Sequence, residues 1–132
     1  MLTTTPTYSA NAAGNIRASA ALAASGTATY DLDYSTALAA RLIILNTPGG
    51  SISATRGLKV ELFPRYGASG SLATAPTAQQ TYTLPSETAS TPENLSLMVE
   101  TGYWTLKITN LDATNAVTVE ITDAIIANLT TT

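Results

Sequence analysis

Tyr103 to Thr122, YWTLKITNLDATNAVTVEIT, is the stretch that decides how this chain folds. Trp104, Leu106 and Ile108 alternate with Tyr103, Thr105, Lys107 and Thr109, the period of two expected of a strand with one buried face. Val117, Val119 and Ile121 alternate in the same way with Thr118, Glu120 and Thr122. Between the two runs stand Asn110, Asp112 and Asn115, short polar residues that turns favour because they bond to neighbouring backbone. The pattern predicts two antiparallel strands around a turn. Ile108 would face Val117, Leu106 would face Val119 and Trp104 would face Ile121, with Lys107 diagonal to Glu120 on the outer side. A lone hairpin is marginal in water, so the rest of the chain must supply a second layer for this apolar ladder.

Working outward, the chain yields further short strands broken by turn residues. Ile16, Ala18, Ala20 and Leu22 alternate before Gly26, and Tyr30, Leu32 and Tyr34 alternate with Thr29, Asp31 and Asp33. Ser35 to Ala40 reads as a crossing loop or one turn of helix. Leu42 to Leu45 is continuous enough to suggest a centrally buried strand. Leu58, Val60 and Leu62 alternate from Gly57 to Arg65, where Pro64 demands an edge or an end. Tyr82 and Leu84 mark a short strand, Leu95, Leu97 and Val99 another before a turn at Thr101-Gly102, and Ala124 to Leu129 a last one. Two polar loops, one from Gly67 to Ala78 and one from Pro85 to Pro92, separate these runs. Eight or nine short strands with such punctuation predict an all-β, single-domain antiparallel β-sandwich, jelly-roll-like in the assignment of its loops, with an immunoglobulin-like order as the alternative. The domain is expected over residues 15–132. Residues 1–14 are expected to be an N-terminal arm that lies on a surface or a neighbour and is disordered in the free monomer.

Composition narrows the function. At 132 residues and 45% hydrophobic the chain can bury a core, yet only 11% of it is charged and about a third is Thr and Ala. A surface of hydroxyls and methyls is weakly hydrated and suits a protein that lives against a neighbour. The net charge of -3 and pI near 4.6 argue against nucleic acid or an anionic membrane as partner. The charges are uneven, with five basic and three acidic residues in 1–66 but one basic and six acidic in 67–132. The start MLTTTPTYS lacks the pattern of a secretion signal, so the protein is expected to be made and assembled in a cytosol. The longest strictly aliphatic run, Leu42 to Leu45, is far too short for a membrane-spanning helix.

The chain has no His and no Cys, which removes the commonest general base, the commonest metal ligand and the thiolate nucleophile. Asp31 and Asp33 stand about 7 Å apart on one strand face, a spacing compatible with calcium or a catalytic carboxylate pair, with Glu120 and Asp123 as further acids. A solvated strand face is the simpler reading. Gly49-Gly50 and Gly67 to Gly70 lack the spacing of a phosphate loop and read as turns. Asn94-Leu95-Ser96 and Asn128-Leu129-Thr130 match the glycosylation sequon, as a Thr-rich chain does by chance. Tyr66, Tyr82, Tyr103 and Trp104 would be the rings of a sugar platform, although Trp104 shares its side with Leu106 and Ile108 and reads as core. No catalytic, cofactor-binding or metal-ligating residue is nominated, and an enzyme is not expected.

The arm, the Thr/Ala-rich domain without Cys or His, and the closing YWTLKITNLDATNAVTVEIT resemble the small cement, or decoration, proteins of tailed-phage capsids, at the level of pattern over about residues 16–127. That resemblance implies a structural virion protein assembled in the host cytoplasm and placed on the capsid surface. It implies the major capsid protein and further copies of the chain, as a homotrimer, as partners. A tail or receptor-binding module that binds carbohydrate is the alternative, and a small hydrolase a more distant one.

Overall fold

The alternation in the sequence becomes seven antiparallel strands, seen in a computed structural model that describes residues 4–7, 13–49, 57–67, 78–85 and 90–131. They are β1 (Thr4–Thr7), β2 (Ala13–Leu22), β3 (Thr27–Pro48), β4 (Gly57–Arg65), β5 (Gln80–Pro85), β6 (Glu93–Asn110) and β7 (Val117–Thr131). The described residues contain no helix, and hydrogen bonding joins all seven strands in one sheet, in the order β1-β7-β3-β6-β4-β5 with β2 also on β7. The all-β, antiparallel expectation holds. Thr4–Thr7 of the expected arm is a strand on the chain's own β7, with Thr4 opposite Thr131. The Gly67 to Ala78 loop and the Pro85 to Pro92 loop fall largely outside the described residues.

The number and length of strands differ from expectation, and the reason is mechanical. β3 runs 22 residues and β6 runs 18, and they pair with each other along almost their whole lengths. The expected loop at Ser35 to Ala40 and the expected turn at Thr101-Gly102 are two sides of one bend in this ribbon. A register shift lies between Tyr34 and Ala39, and Gly102 sits opposite Tyr34 with φ +134°, a backbone that side-chain-bearing residues rarely adopt. Buried positions in β6 slip from Leu97 and Val99 to Trp104, Leu106 and Ile108 across the bend. A strand whose alternation changes phase looks, in sequence, like two strands and a turn.

On one side of the bend, β3 residues 27–34, β6 residues 102–110, β4 and β5 form one leaf in that order. On the other side, β6 residues 93–100, β3 residues 39–48, β7 and β2 form a second leaf. Each leaf has one apolar face, and the two faces contribute to a single buried cluster. Leu32, Tyr34, Leu58, Val60, Leu62, Trp104, Leu106 and Ile108 come from the first leaf, and Leu22, Leu42, Ile44, Leu97, Val99, Val117, Val119 and Ile121 from the second.

The predicted closing hairpin is therefore corrected. Trp104, Leu106, Ile108, Val117, Val119 and Ile121 are all buried as expected, but residues 102–110 of β6 belong to the first leaf and β7 to the second, and β6 and β7 do not pair. Leu106 lies opposite Tyr30 and Leu62, and Val119 opposite Ala20 and Asn46. Lys107 has Glu61 opposite it and not Glu120 as its diagonal neighbour. The turn carries the chain from one leaf to the other because Asn110 ties it to another loop. The buried Asn110 amide donates to the carbonyls of Leu22 (3.3 Å), Ala23 (3.0 Å) and Asn115 (2.9 Å), and its oxygen accepts from Asp112 N (3.0 Å). Ser25 N to Asp112 O and Leu111 N to Gly57 O complete the knot. Leu42 to Leu45 is central in pairing, flanked by β6 and β7, but only Leu42 and Ile44 are fully buried, while Ile43 points outward at 39% exposure.

Asp112 holds the turn by its charge. Its Oδ1 accepts from Thr114 N, Thr114 Oγ1 and Asn115 N, and these donors lower its pKa to about 2. A depressed carboxylate contributes stability that is present above its ordinary value, 3.8, and is lost as pH falls toward the folded value. Asp112→Asn is expected to lower stability at neutral pH but to lose less than wild type between about pH 4 and pH 2 in urea titrations; parallel profiles would contradict this. Trp104→Ala, which empties the largest ring of the cluster, is expected to cost about 3–5 kcal/mol. A variant melting within a few degrees of wild type would contradict the burial assigned to Trp104.

Candidate functional site

The acids singled out in the sequence do not converge. Asp31 and Asp33 project from the outer face of the first leaf, and their oxygens have protein partners. Asp31 Oδ1 accepts from Thr105 Oγ1 at 3.0 Å and lies 3.8 Å from Arg65 Nε. Asp33 Oδ1 accepts from Ser35 Oγ (2.6 Å) and Ser35 N (3.0 Å), and these bonds hold its pKa below the usual range. Asp123 accepts from the Tyr34 hydroxyl at 2.8 Å on the far side of the bend. Burial, then that bond and the Asp123 charge, push the Tyr34 phenol upward, so it stays protonated as a donor that braces the bend. Glu120 sits on β7, opposite Leu45, in the second leaf. Among the described residues no group of three or more acids is gathered as a metal cage.

The aromatic residues separate as well. Trp104 is 6% exposed, and its Nε1 donates to Glu100 O at 2.9 Å across Gly102, a further clamp on the bend. Tyr103 lies half-buried under the Arg65 guanidinium, 5.9 Å from ring centroid to Cζ. Arg65 also donates to Trp104 O (3.1 Å), Leu32 O (3.3 Å) and Gly67 O (3.3 Å), so this cation splints strand ends. Tyr66 and Tyr82 remain exposed. The largest ring of a sugar platform is thus committed to the core.

The outer faces of the two leaves differ in a way that the sequence did not reveal. Across the first leaf run the rows Thr29-Lys107-Glu61-Thr81 and Thr27-Thr109-Lys59-Thr83, with Lys59 and Glu61 ion-paired at 3.3 Å. Across the second leaf the rows are Met98-Arg41-Ala124, Ser96-Ile43-Thr122 and Asn94-Leu45-Glu120. Only Arg41 and Glu120 of these are charged. Met98 is 51% exposed, Ile43 39%, and Leu38 beside the bend 49%. The face is a weakly charged surface with apolar side chains open to solvent, a composition that suits a contact surface. Sequence reasoning missed it because Leu42 to Leu45 looks uniformly buried until its neighbours are known.

No protein-family model matches the chain, and no curated protein matches it either, so the functional argument rests on this geometry. Asp31, Asp33 and Asp123 each accept a hydrogen bond from a protein hydroxyl. Chelation with EDTA is expected to leave the melting temperature unchanged; a sharp fall that calcium reverses would make Asp31 and Asp33 ligands after all.

Proposed function

We propose that this protein is a structural virion component, a capsid decoration protein that binds the major capsid protein shell and braces it, acting as a homotrimer and without catalysis. One observation carries the reading: the outer face of the second leaf presents Met98, Ile43 and Leu38 among Ser, Thr, Asn and Ala with only two charges in its three central rows. Covering such a face removes apolar area from water while few charges must be stripped of hydration. The first leaf, with Lys59, Glu61, Lys107 and Asp31 outward, suits the solvent side. The capsid exterior, reached after synthesis in the host cytoplasm, is the corresponding location.

We further read the fold as a jelly-roll sandwich. If the bend divides β3 and β6 in two, β2 to β7 supply eight segments, numbered here in chain order. The first then pairs with the eighth, the second with the seventh, the third with the sixth and the fourth with the fifth. That nested pairing is what results when one long hairpin is rolled up, and virion and lectin domains both use it. The architecture alone therefore does not choose between capsid and carbohydrate; the interior position of Trp104 and the apolar second leaf favour the capsid.

Sedimentation with and without purified capsids tests the function. The full chain is expected to sediment as a trimer when alone and to co-sediment with capsids, and a monomer that ignores capsids would overturn the proposal. Deleting residues 1–14 removes the four-residue strand β1 from the end of β7, together with Ala13 and Gly14 at the start of β2, and is expected to change the stability of the isolated domain by no more than about 1 kcal/mol, while trimer formation or capsid attachment weakens more. Unchanged assembly and capsid binding would remove the arm from the account.

A further inference from the structure

On the outer face of the second leaf, the two charges of the central rows stand at opposite ends of an apolar strip. Arg41 belongs to the row Met98-Arg41-Ala124 and Glu120 to the row Asn94-Leu45-Glu120, with Ser96-Ile43-Thr122 between them. Four residues along β3 and one strand spacing separate the two, about 14 Å at ordinary strand dimensions. They are too far apart to pair with each other. Among the described residues neither has a hydrogen-bond or ion-pair partner elsewhere in the chain. On the first leaf, by contrast, Lys59 and Glu61 already satisfy each other at 3.3 Å.

An unpaired cation and an unpaired anion that flank apolar side chains make this face its own complement. A second copy, turned about a two-fold axis that lies between the two faces and crosses the midpoint of Arg41 and Glu120, puts each Arg41 on the Glu120 of the other copy. The same rotation brings Ile43 against Ile43 close to the axis and sets Met98 beside Leu45. Glu100, opposite Ala39 on the same face, then falls near Thr118, so no like charges are brought together.

We propose that the outer face of the second leaf pairs with the same face of a second copy across this axis, Arg41 to Glu120 in both directions. Four strands of about seven residues give roughly 450 Å² of sheet per copy, against about 800 Å² per partner in a stable complex. The contact is therefore reversible and depends on concentration. Pairing doubles the mass of whatever unit the free chain forms through other surfaces, a trimer included. It uses the face assigned above to the capsid but does not rest on that function. Self-pairing is read without capsids, so the two tests can fail separately.

Sedimentation equilibrium of the full chain, from about 10 μM to about 1 mM, tests the pairing. The average mass of wild type is expected to climb toward twice its low-concentration value. Arg41→Glu and Glu120→Arg each place like charges face to face and are expected to weaken the association at least about tenfold. An equimolar mixture of the two variants restores both ion pairs, as does the double reversal in one chain, and each is expected to associate within about threefold of wild type. Far-UV circular dichroism checks that every variant is folded, and the double reversal carries the test where a single one does not fold. A wild-type mass that stays constant over this range would overturn the proposal. So would single reversals that associate as strongly as wild type, or a mixture and a double reversal that associate no better than the single reversals.

Discussion

A single antiparallel sheet with one apolar face cannot rest flat in water, and the bend in the β3-β6 ribbon is what resolves that conflict here. Folding the ribbon at Tyr34–Ala39 and Gly102 allows Leu32, Leu106 and Ile108 to share one buried cluster with Leu42, Ile44 and Val119. The fold then stabilises itself through burial that neither leaf achieves alone. The bend is fastened by bonds that only a bent ribbon can make: Thr101 Oγ1 to the carbonyls of Ala37 and Leu38, Trp104 Nε1 to Glu100 O, and Tyr34 Oη to Asp123. At the opposite end of the first leaf, Asn110 ties the β6-β7 turn to the β2-β3 turn. Two polar fastenings and one shared core thus define the molecule.

The same constraint decides which surfaces are available. Once the inner faces are consumed by the core, the outer face of each leaf must be water-compatible or covered. The first leaf meets this with Lys, Glu, Asp and Thr. The second leaf does so less fully, and leaves Met98, Ile43 and Leu38 open. Low overall charge, which in the sequence was only a composition, becomes in the structure a located asymmetry between two faces. That location is the physical basis of the docking role proposed for the chain.

Much of the fold could be read from residues, and the losses have one cause. Alternation identified β2, β4 and β5 nearly to their ends, identified the inward side of Trp104, Leu106, Ile108, Val117, Val119 and Ile121, and placed Pro64 beyond Leu62, where β5 stops pairing. Asn110, Asp112 and Asn115 were legible as a turn. What alternation cannot carry is the identity of the partner strand, because any apolar ladder matches any other of the same period. Ile108 and Val117 satisfied the nearest pairing on paper, while the Asn110 amide, by holding Leu22 and Ala23, sends β7 to the other leaf. A phase slip at Gly102 likewise imitates a turn. The contact face was illegible for a related reason: the exposure of Ile43 between buried Leu42 and Ile44 depends on how few residues lie over the second leaf, and that is not written in residues 42–45.

The claim on which all of this rests is that residues 102–110 of β6 and the start of β7, adjacent in sequence and matched in pattern, lie in different leaves of a bent sheet. Interstrand nuclear Overhauser contacts in solution test it directly. The account predicts a ladder from Thr29/Lys107 through Leu32/Trp104 to Ile43/Ser96, interrupted only by the register shift at the bend, together with contacts between Val119 and both Ala20 and Asn46. A ladder joining backbone protons of Ile108 to Val117 and Leu106 to Val119 would restore the simple hairpin and contradict it.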